Sequence, residues 1–282
     1  LKIGFIGAGK VGFALGKHFR ATSADVSDVG FYSLNPDSAK QAAEFVGGNS
    51  FSSLEQITAE SDVLFLTVPD GAIKSVWDSL KNFALNDKLI CHCSGALSSD
   101  IFDTIDQKGG FGYSVHPFFA ISSKTTSYQD IPKALFTVEG SVERLETLKN
   151  LIEQTGSRVH IIQKEFKIKY HAAAVFLSNH ISATAYTGCE LLRECGFDDE
   201  MLMTALNTLF IEHCRAIAKR GIIKTLTGPV ERNDTQTITK HIDNLREPAR
   251  ELYIALSRQL VKIAKEKHPE REDMYETNYS DF

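Results

Sequence analysis

The sequence predicts an α/β domain with a parallel-rich, doubly wound sheet, followed by an all-α domain. Three observations carry this. Short apolar, β-branched runs alternate with helical periodicity up to about residue 164, and no strand-like run follows. A glycine-rich turn, Gly7-Ala8-Gly9-Lys10-Val11-Gly12, stands between the first run and the first helix. At 282 residues the chain is long enough for two domains, placed at 1–164 and 165–282.

Residues 3–6, 29–33, 63–68, 89–93 and 113–115 read as strands, with 135–138 and 159–162 as two more. Runs this apolar suit a parallel sheet covered on both faces. Helical patterns lie near 11–21, 37–46, 71–83, 99–106 and 142–155, and the alternation implies βαβ units. Residues 165–195 then read as one helix of around 45 Å. Its centre, 172–177, is apolar nearly all round, as in a helix buried on more than one side by other helices or by a second copy. Further helices are expected at about 199–218, 234–245 and 248–266. The polar tail from His268, with Tyr275, Tyr279 and Phe282, reads as a loosely attached arm.

A hydrophobic content of 43% supports an ordinary core without staples. The formal net charge of -5 argues against a nucleic-acid partner. No apolar run approaches the roughly 20 residues of a membrane span. The five cysteines, Cys91, Cys93, Cys189, Cys195 and Cys214, are odd in number and do not suggest a disulfide framework. In a strand, Cys91 and Cys93 share a face and His92 points the other way, so no metal site is expected and the thiols read as buried apolar groups. The chain opens directly into a strand, and a reduced, cytoplasmic setting is the expectation.

The glycine turn has the strand before it and the helix after it that a Rossmann-type dinucleotide site needs. Gly7 permits the tight turn, Gly9 admits the pyrophosphate, and Gly12 lets the helix pack close to the strand. Unpaired amides at the helix start, at Lys10 and Val11, face the phosphates. The second strand ends Phe31-Tyr32-Ser33-Leu34-Asn35-Pro36 without a carboxylate to bind a ribose 2′-hydroxyl. Ser33 and Asn35 can donate to a 2′-phosphate, so NADP is preferred, with NAD the alternative.

Ligands of open α/β sheets collect at the carboxyl ends of the strands. Three such ends stand out: Val68-Pro69-Asp70, Cys93-Ser94-Gly95 and Val115-His116-Pro117. Ser94 either bonds nicotinamide ribose or substrate, or caps a turn. His116, extended before Pro117, either lines the pocket or makes a structural hydrogen bond. On the long helix His171, Ser178 and Ser182 form a polar stripe with Asn179 beside it, and Lys167 shares the face of His171. Such groups pair with each other, with water or with a ligand, and interhelical hydrogen bonding is the competing reading. His171 is the first choice of proton donor, and Asn179 would orient the acceptor. Arg232, in Gly228-Pro229-Val230-Glu231-Arg232-Asn233-Asp234, either grips an anionic group or makes a surface ion pair. Asp234 fits a helix cap.

These motifs, together with Ser114-Val115-His116-Pro117, Tyr170-His171-Ala172-Ala173 and His241, resemble a group of NADP-dependent oxidoreductases of unassigned substrate. In that group a Rossmann-like domain is joined to a helical domain of unknown function. The group is similar, more distantly, to ketopantoate reductase, pyrroline-5-carboxylate reductase and the β-hydroxyacid dehydrogenases. The resemblance implies a C-terminal domain like that of 6-phosphogluconate dehydrogenase and a homodimer formed through it. The β-hydroxyacid dehydrogenases use Lys-x-x-x-Asn; here Lys167 stands at the Lys position and His171 replaces the Asn, so their mechanism does not transfer directly.

The reading is an NADP-dependent reductase or dehydrogenase for a small, anionic carbonyl or imine, with its site between the domains. His171 donates the proton. Ser94, His116 and Asn179 surround the acceptor, and Arg232 and Ser178 hold the substrate. The alternative is a nucleotide-binding sensor that keeps the fold without turnover, because a fold does not fix a function.

Overall fold

The computed structural model describes residues 1–279. The chain divides into two compact units, Leu1–Ser178 and Asn179–Phe282. The division falls beyond the boundary at 164 expected from the sequence, because the segment carrying Lys167 belongs to the first unit, where Lys167 is buried.

The first unit runs β1 (Lys2–Ile6), α1 (Lys10–Thr22), β2 (Asp28–Tyr32), α2 (Pro36–Val46), β3 (Asn49–Ser50), α3 (Leu54–Glu60), β4 (Val63–Leu66), α4 (Asp70–Leu80), β5 (Leu89–His92), β6 (Phe111–Phe118), β7 (Leu135–Gly140), α5 (Leu145–Glu153), β8 (Arg158–Ile161) and α6 (Lys167–Phe176). The strands form one sheet in the order β3-β2-β1-β4-β5-β6-β7-β8. Neighbours are parallel except β6 and β7.

Alternation along the inner strands feeds two cores, whereas β3 and β8 at the edges bury no residue. Phe5, Phe31 and Phe65 face one side, with the Phe5 ring stacked 5.4 Å from each of the other two. Ile6, Leu64 and Leu66 face the other. The first core is closed by Phe13 and Phe19 of α1, Ala39 and Ala42 of α2, and Leu148 and Ile152 of α5. The second is closed by Ile57 of α3 and by Ile73 and Trp77 of α4. Because both faces are covered, the strands read as unbroken apolar runs.

The expected strands all form, and β3 and α3 are additions. β3 is two residues long, too short for a pattern. α3 is announced only by Ser53, whose hydroxyl accepts from Gln56 N in a Ser-x-x-Gln cap. The helix expected at 99–106 does not form. Ser99–Ile101 and Asp106–Lys108 are single 3-10 turns, with Thr104 at φ 63° between them, which a helix cannot absorb. α5 begins at Leu145 rather than 142 because Arg144 takes φ 61°.

The second unit comprises α7 (Asn179–Glu194), α8 (Asp199–Ala205), a π-helical turn at Leu206–Ile211, α9 (Glu212–Arg220), α10 (Ile222–Thr225), α11 (Thr235–Asn244), α12 (Ala249–Lys267) and α13 (Glu272–Asn278). The single long helix expected over 165–195 is two helices, α6 and α7. Ser178 N turns back to Val175 O at 3.2 Å, and Ser178 Oγ donates to Ala174 O at 2.7 Å. A serine bonding to its preceding turn competes with the ladder and bends it.

The tail from His268 is not a loose arm. Tyr275 is fully buried and Tyr279 nearly so, in a core with Leu226, Val230, Ile238 and Ala264. The Tyr275 hydroxyl donates to Glu231 O at 2.5 Å, and His268 Nε2 lies 2.7 Å from the Glu231 carboxylate. Phe282 lies outside the described residues. By contrast α7, the π turn and α9 bury no residue, and Leu209 is 75% exposed.

Candidate active site

The glycine turn leaves β1 at its carboxyl end and enters α1. Gly7 sits at φ 109°, and Thr67 Oγ1 donates to Gly7 O at 2.7 Å, pinning the turn to the end of β4. A Cβ on Gly12 would lie 2.4 Å from Gly7 O and 2.9 Å from Thr67 Oγ1, so only glycine lets α1 close on the strand. A Cβ on Gly9 would meet nothing nearer than Thr67 O at 3.9 Å, which leaves that backbone open to a ligand. No side chain caps α1 and no acid stands in its first turn. The amides of Lys10, Val11 and Gly12 therefore present the positive end of the helix.

A cleft of about 520 Å³ opens beside this turn. Gly7, Ala8 and Gly9 line it, with Thr67, Val68 and Pro69 after β4, Tyr32, Ser33 and Leu34 at the end of β2, and Ser38 of α2. Among the described residues no charged side chain lines it. Open backbone at Gly9, uncapped amides and an uncharged wall at the tip of β2 fit a dinucleotide whose phosphates are held by main chain. Ser33 lines the cleft. Asn35 does not, because its Oδ1 accepts from Asp37 N at 3.0 Å as the cap of α2. The side chains of Lys10, which is exposed, and Val11, which packs on the core, also lie outside it, so their part is confined to the main chain.

Farther along the same sheet edge, at the ends of β5 and β6, is a second cluster. Ser94 Oγ donates to Asp70 Oδ2 at 2.6 Å and accepts from Ala96 N at 3.2 Å and Leu97 N at 3.1 Å. Its hydroxyl is fully engaged within the protein, which is the turn-capping role. Lys167, on α6, is only 1% exposed. Its Nζ donates to Ser94 O at 3.1 Å and to Ser114 Oγ at 2.7 Å. Burial pushes this amine down from 10.5 to about 8, against the upward pull of Glu139 and Asp70.

His171 follows one helical turn later. Its Nδ1 is buried without a hydrogen-bond partner. A Cβ on Gly95 would lie 2.6 Å from His171 Nδ1 and 3.0 Å from His116 Nε2, so a glycine here lets both imidazoles close on the strand end. The two rings meet edge-on, with centroids 6.2 Å apart. His116 Nδ1 shares a 2.7 Å hydrogen bond with the Tyr170 hydroxyl. Burial, then the nearby Lys167 and His171, push His116 down to about 4, so it is neutral at pH 7.

His92 is structural. Its Nε2 bonds Ser98 O at 3.1 Å, its Nδ1 accepts from Ser94 N at 3.2 Å, and burial pushes it down to about 4. Cys91 joins the first core while the His92 ring packs on Phe102 on the other side of the sheet. Among the described residues no group of three His, Cys, Asp or Glu is placed to hold a metal ion.

α6 thus brings Lys167, Tyr170 and His171 together at i, i+3 and i+4. Sequence reasoning singles out His116 and His171 and gives Lys167 and Tyr170 no role. The available signal is the spacing itself, which puts a lysine one turn before the histidine on an otherwise apolar helix. The polar stripe of His171, Ser178 and Ser182 is not continuous, because the helix breaks after Leu177. Ser178 closes the first unit and Asn179 opens the second. Arg232 is exposed in the second unit, on a turn where Arg232 N donates to Gly228 O at 3.1 Å. Asp234 caps α11 as expected, accepting from Thr237 N at 3.1 Å. His241 Nδ1 bonds the Tyr253 hydroxyl at 2.8 Å.

Residues 1–117 match the Rossmann-like domain family, and residues 134–260 match a domain of unknown function, DUF2520. No curated protein matches the chain. Among solved structures, it is similar to protein TM1727 from Thermotoga maritima, with 29% identity, a TM-score of 0.75, and 94% of this chain and 99% of that one covered. It is also similar to the "putative NADP oxidoreductase BF3122" from Bacteroides fragilis, with 23% identity, a TM-score of 0.72 and coverage of 92% and 97%. A reductive aminase from Aspergillus terreus, in complex with NADPH and ethyl-5-oxohexanoate, shares the fold at 12% identity, with a TM-score of 0.65 and coverage of 99% and 94%. The chain therefore joins a Rossmann-like domain to the domain of unknown function DUF2520.

Proposed function

We propose that the protein is an NADP-dependent oxidoreductase acting on a small, anionic carbonyl or imine. One observation carries the reading. The glycine-turn cleft and the Lys167–His171 cluster stand along one edge of one unit, at the carboxyl ends of the neighbouring strands β1, β4, β5 and β6. That edge is where open α/β sheets bind ligands.

The dinucleotide, when bound, supplies or accepts a hydride. The amides of Lys10, Val11 and Gly12 would hold its pyrophosphate, Val68 and Pro69 would wall its cleft, and Ser33 with Ser38 would face the ribose phosphate. The lack of an acid at the tip of β2 supports NADP over NAD.

The protein's own task is to manage a proton beside the acceptor. His171 donates it. His116, neutral and fixed by Tyr170, offers an N–H to the acceptor. Lys167 keeps a positive charge next to both. Asn179 is assigned to orienting the acceptor, and Ser178 and Arg232 to holding its anionic group. The exposed Tyr186 of α7, Met201 and Met203 of α8 and Leu209 of the π turn support a homodimer through the helical unit, to be checked by sedimentation.

The test is a fluorescence titration with NADPH and NADH, followed by NADPH oxidation with a panel of keto acids and imines. Tighter NADPH binding and turnover are expected. Tighter NADH binding would reverse the cofactor assignment. Tight NADPH binding without turnover across the panel would favour the nucleotide sensor.

A further inference from the structure

Lys167 poses an electrostatic problem that its hydrogen bonds do not solve. A buried ammonium needs a compensating charge, yet Ser94 O and Ser114 Oγ are both uncharged. The titratable groups around it come from five elements: His92 and Cys93 at the end of β5, His116 on β6, Glu139 on β7, Asp70 at the start of α4, and Tyr170 and His171 on its own helix. Burial keeps His92 and His116 neutral and pushes the Cys93 thiol up to about 12. Two carboxylates remain.

Asp70 is exposed, and its Oδ2 takes the Ser94 hydroxyl. Glu139 is different: it is 5% exposed. It stands directly opposite Ser114 in the antiparallel β6–β7 register, so the two side chains share a face, with Cα atoms roughly 5 Å apart. Ser99 orients its carboxylate, donating from N at 2.9 Å and from Oγ at 2.5 Å. Two buried groups of opposite sign, each hydrogen-bonded to neutral partners, thus face each other across Ser114. Water and salt screen such a pair far less than they screen Asp70.

We propose that Glu139 is the counter-charge that keeps the Lys167 amine protonated at the sheet edge, and is thereby a positioning residue for the proton the site donates. This rests on reading that edge as the proton-donating site.

The experiment follows Lys167 itself, by NMR of the full chain with isotope-labelled lysine. The resonance is assigned by its loss in Lys167→Met. The wild-type midpoint is expected at about 8. Glu139→Gln keeps the shape and still accepts from Ser99, and it should lower the midpoint by about one pH unit or more. An unchanged midpoint overturns the proposal. A second arm needs no variant. Raising salt from about 0.05 to about 0.5 M should leave the wild-type midpoint in place. A large salt shift would give the role to exposed Asp70 and overturn the proposal as well. Neither arm uses turnover, so a protein that shows the Glu139→Gln shift but oxidises no NADPH keeps the counter-charge and loses the oxidoreductase reading.

Discussion

Replacing Lys167 with methionine should stabilise the first unit at neutral pH. The buried amine is held down at about 8 against 10.5 in the unfolded chain. A gap of that size corresponds to roughly 3 kcal/mol against folding when the amine is protonated, and residual solvent screening brings it to on the order of 2 kcal/mol. Methionine has similar length and no charge. Its cost is the two hydrogen bonds, about 1 kcal/mol in all, because Ser114 Oγ still donates to Ser94 O at 3.3 Å. Lys167→Met should therefore be more stable by about 1 kcal/mol at pH 7, or roughly 2–4 °C for a unit of this size. The pH dependence has a definite sign. Below 8 both folded and unfolded chains hold the proton, and the wild type bears the full penalty. Between 8 and 10.5 only the unfolded chain holds it, so wild-type stability rises with pH relative to the variant. Above 10.5 the penalty is gone and the variant is the less stable of the two. Trp77, the one tryptophan, is fully buried in the first unit, so urea unfolding followed by its fluorescence reads this unit selectively. A variant less stable than wild type at pH 7, or a gap that does not change between 8 and 10.5, would refute the reasoning.

Other outcomes follow from the same geometry. His171→Ala should lower turnover by about 10²-fold or more while NADPH affinity stays within a few fold; equal losses in both would remove it as proton donor. Gly12→Ala forces a Cβ to within 2.4 Å of Gly7 O. It should cost about 1–3 kcal/mol of stability and weaken NADPH binding by more than tenfold in calorimetry. Ser33→Asp puts a carboxylate in the cleft and should shift the NADPH-to-NADH affinity ratio at least tenfold towards NADH; an unchanged ratio would move the 2′-phosphate away from Ser33. Arg232→Ala should raise KM for an anionic substrate by 10–100-fold with kcat little changed, on the order of 1.4–3 kcal/mol of uniform binding.

The sheet was legible because its strands are apolar on both faces and its first turn needs three glycines. Thr104 and Arg144 show where legibility ended. Nothing about those residue types announces a positive φ, yet each sets a helix boundary. The cofactor cleft was readable from Gly7 to Gly12, but Asn35 was misplaced because an asparagine before Pro36 serves the helix start as readily as a ligand. The cluster was half visible. His116 and His171 are conspicuous by type, whereas the weight of Lys167 comes from burial where the end of β5 meets β6 and β7. That follows from tertiary pairing, such as Ser114 opposite Glu139, which no local pattern encodes. The tail was misread for the opposite reason: Tyr275 and Tyr279 look like scattered aromatics in a polar run until they fold back as one helical turn onto the core of the second unit.

Ser94 offers two different handles to its neighbours. Its side chain fastens the start of α4, next to the wall of the cofactor cleft, whereas the oxygen that receives Lys167 belongs to its main chain. Any residue at position 94 would keep that oxygen. Replacing the side chain at 94 would release Asp70 and the Ala96 and Leu97 amides, whereas the carbonyl that receives Lys167 would stay in the main chain. A single residue thus ties the start of α4 to the buried amine of α6, through its side chain on one side and its carbonyl on the other.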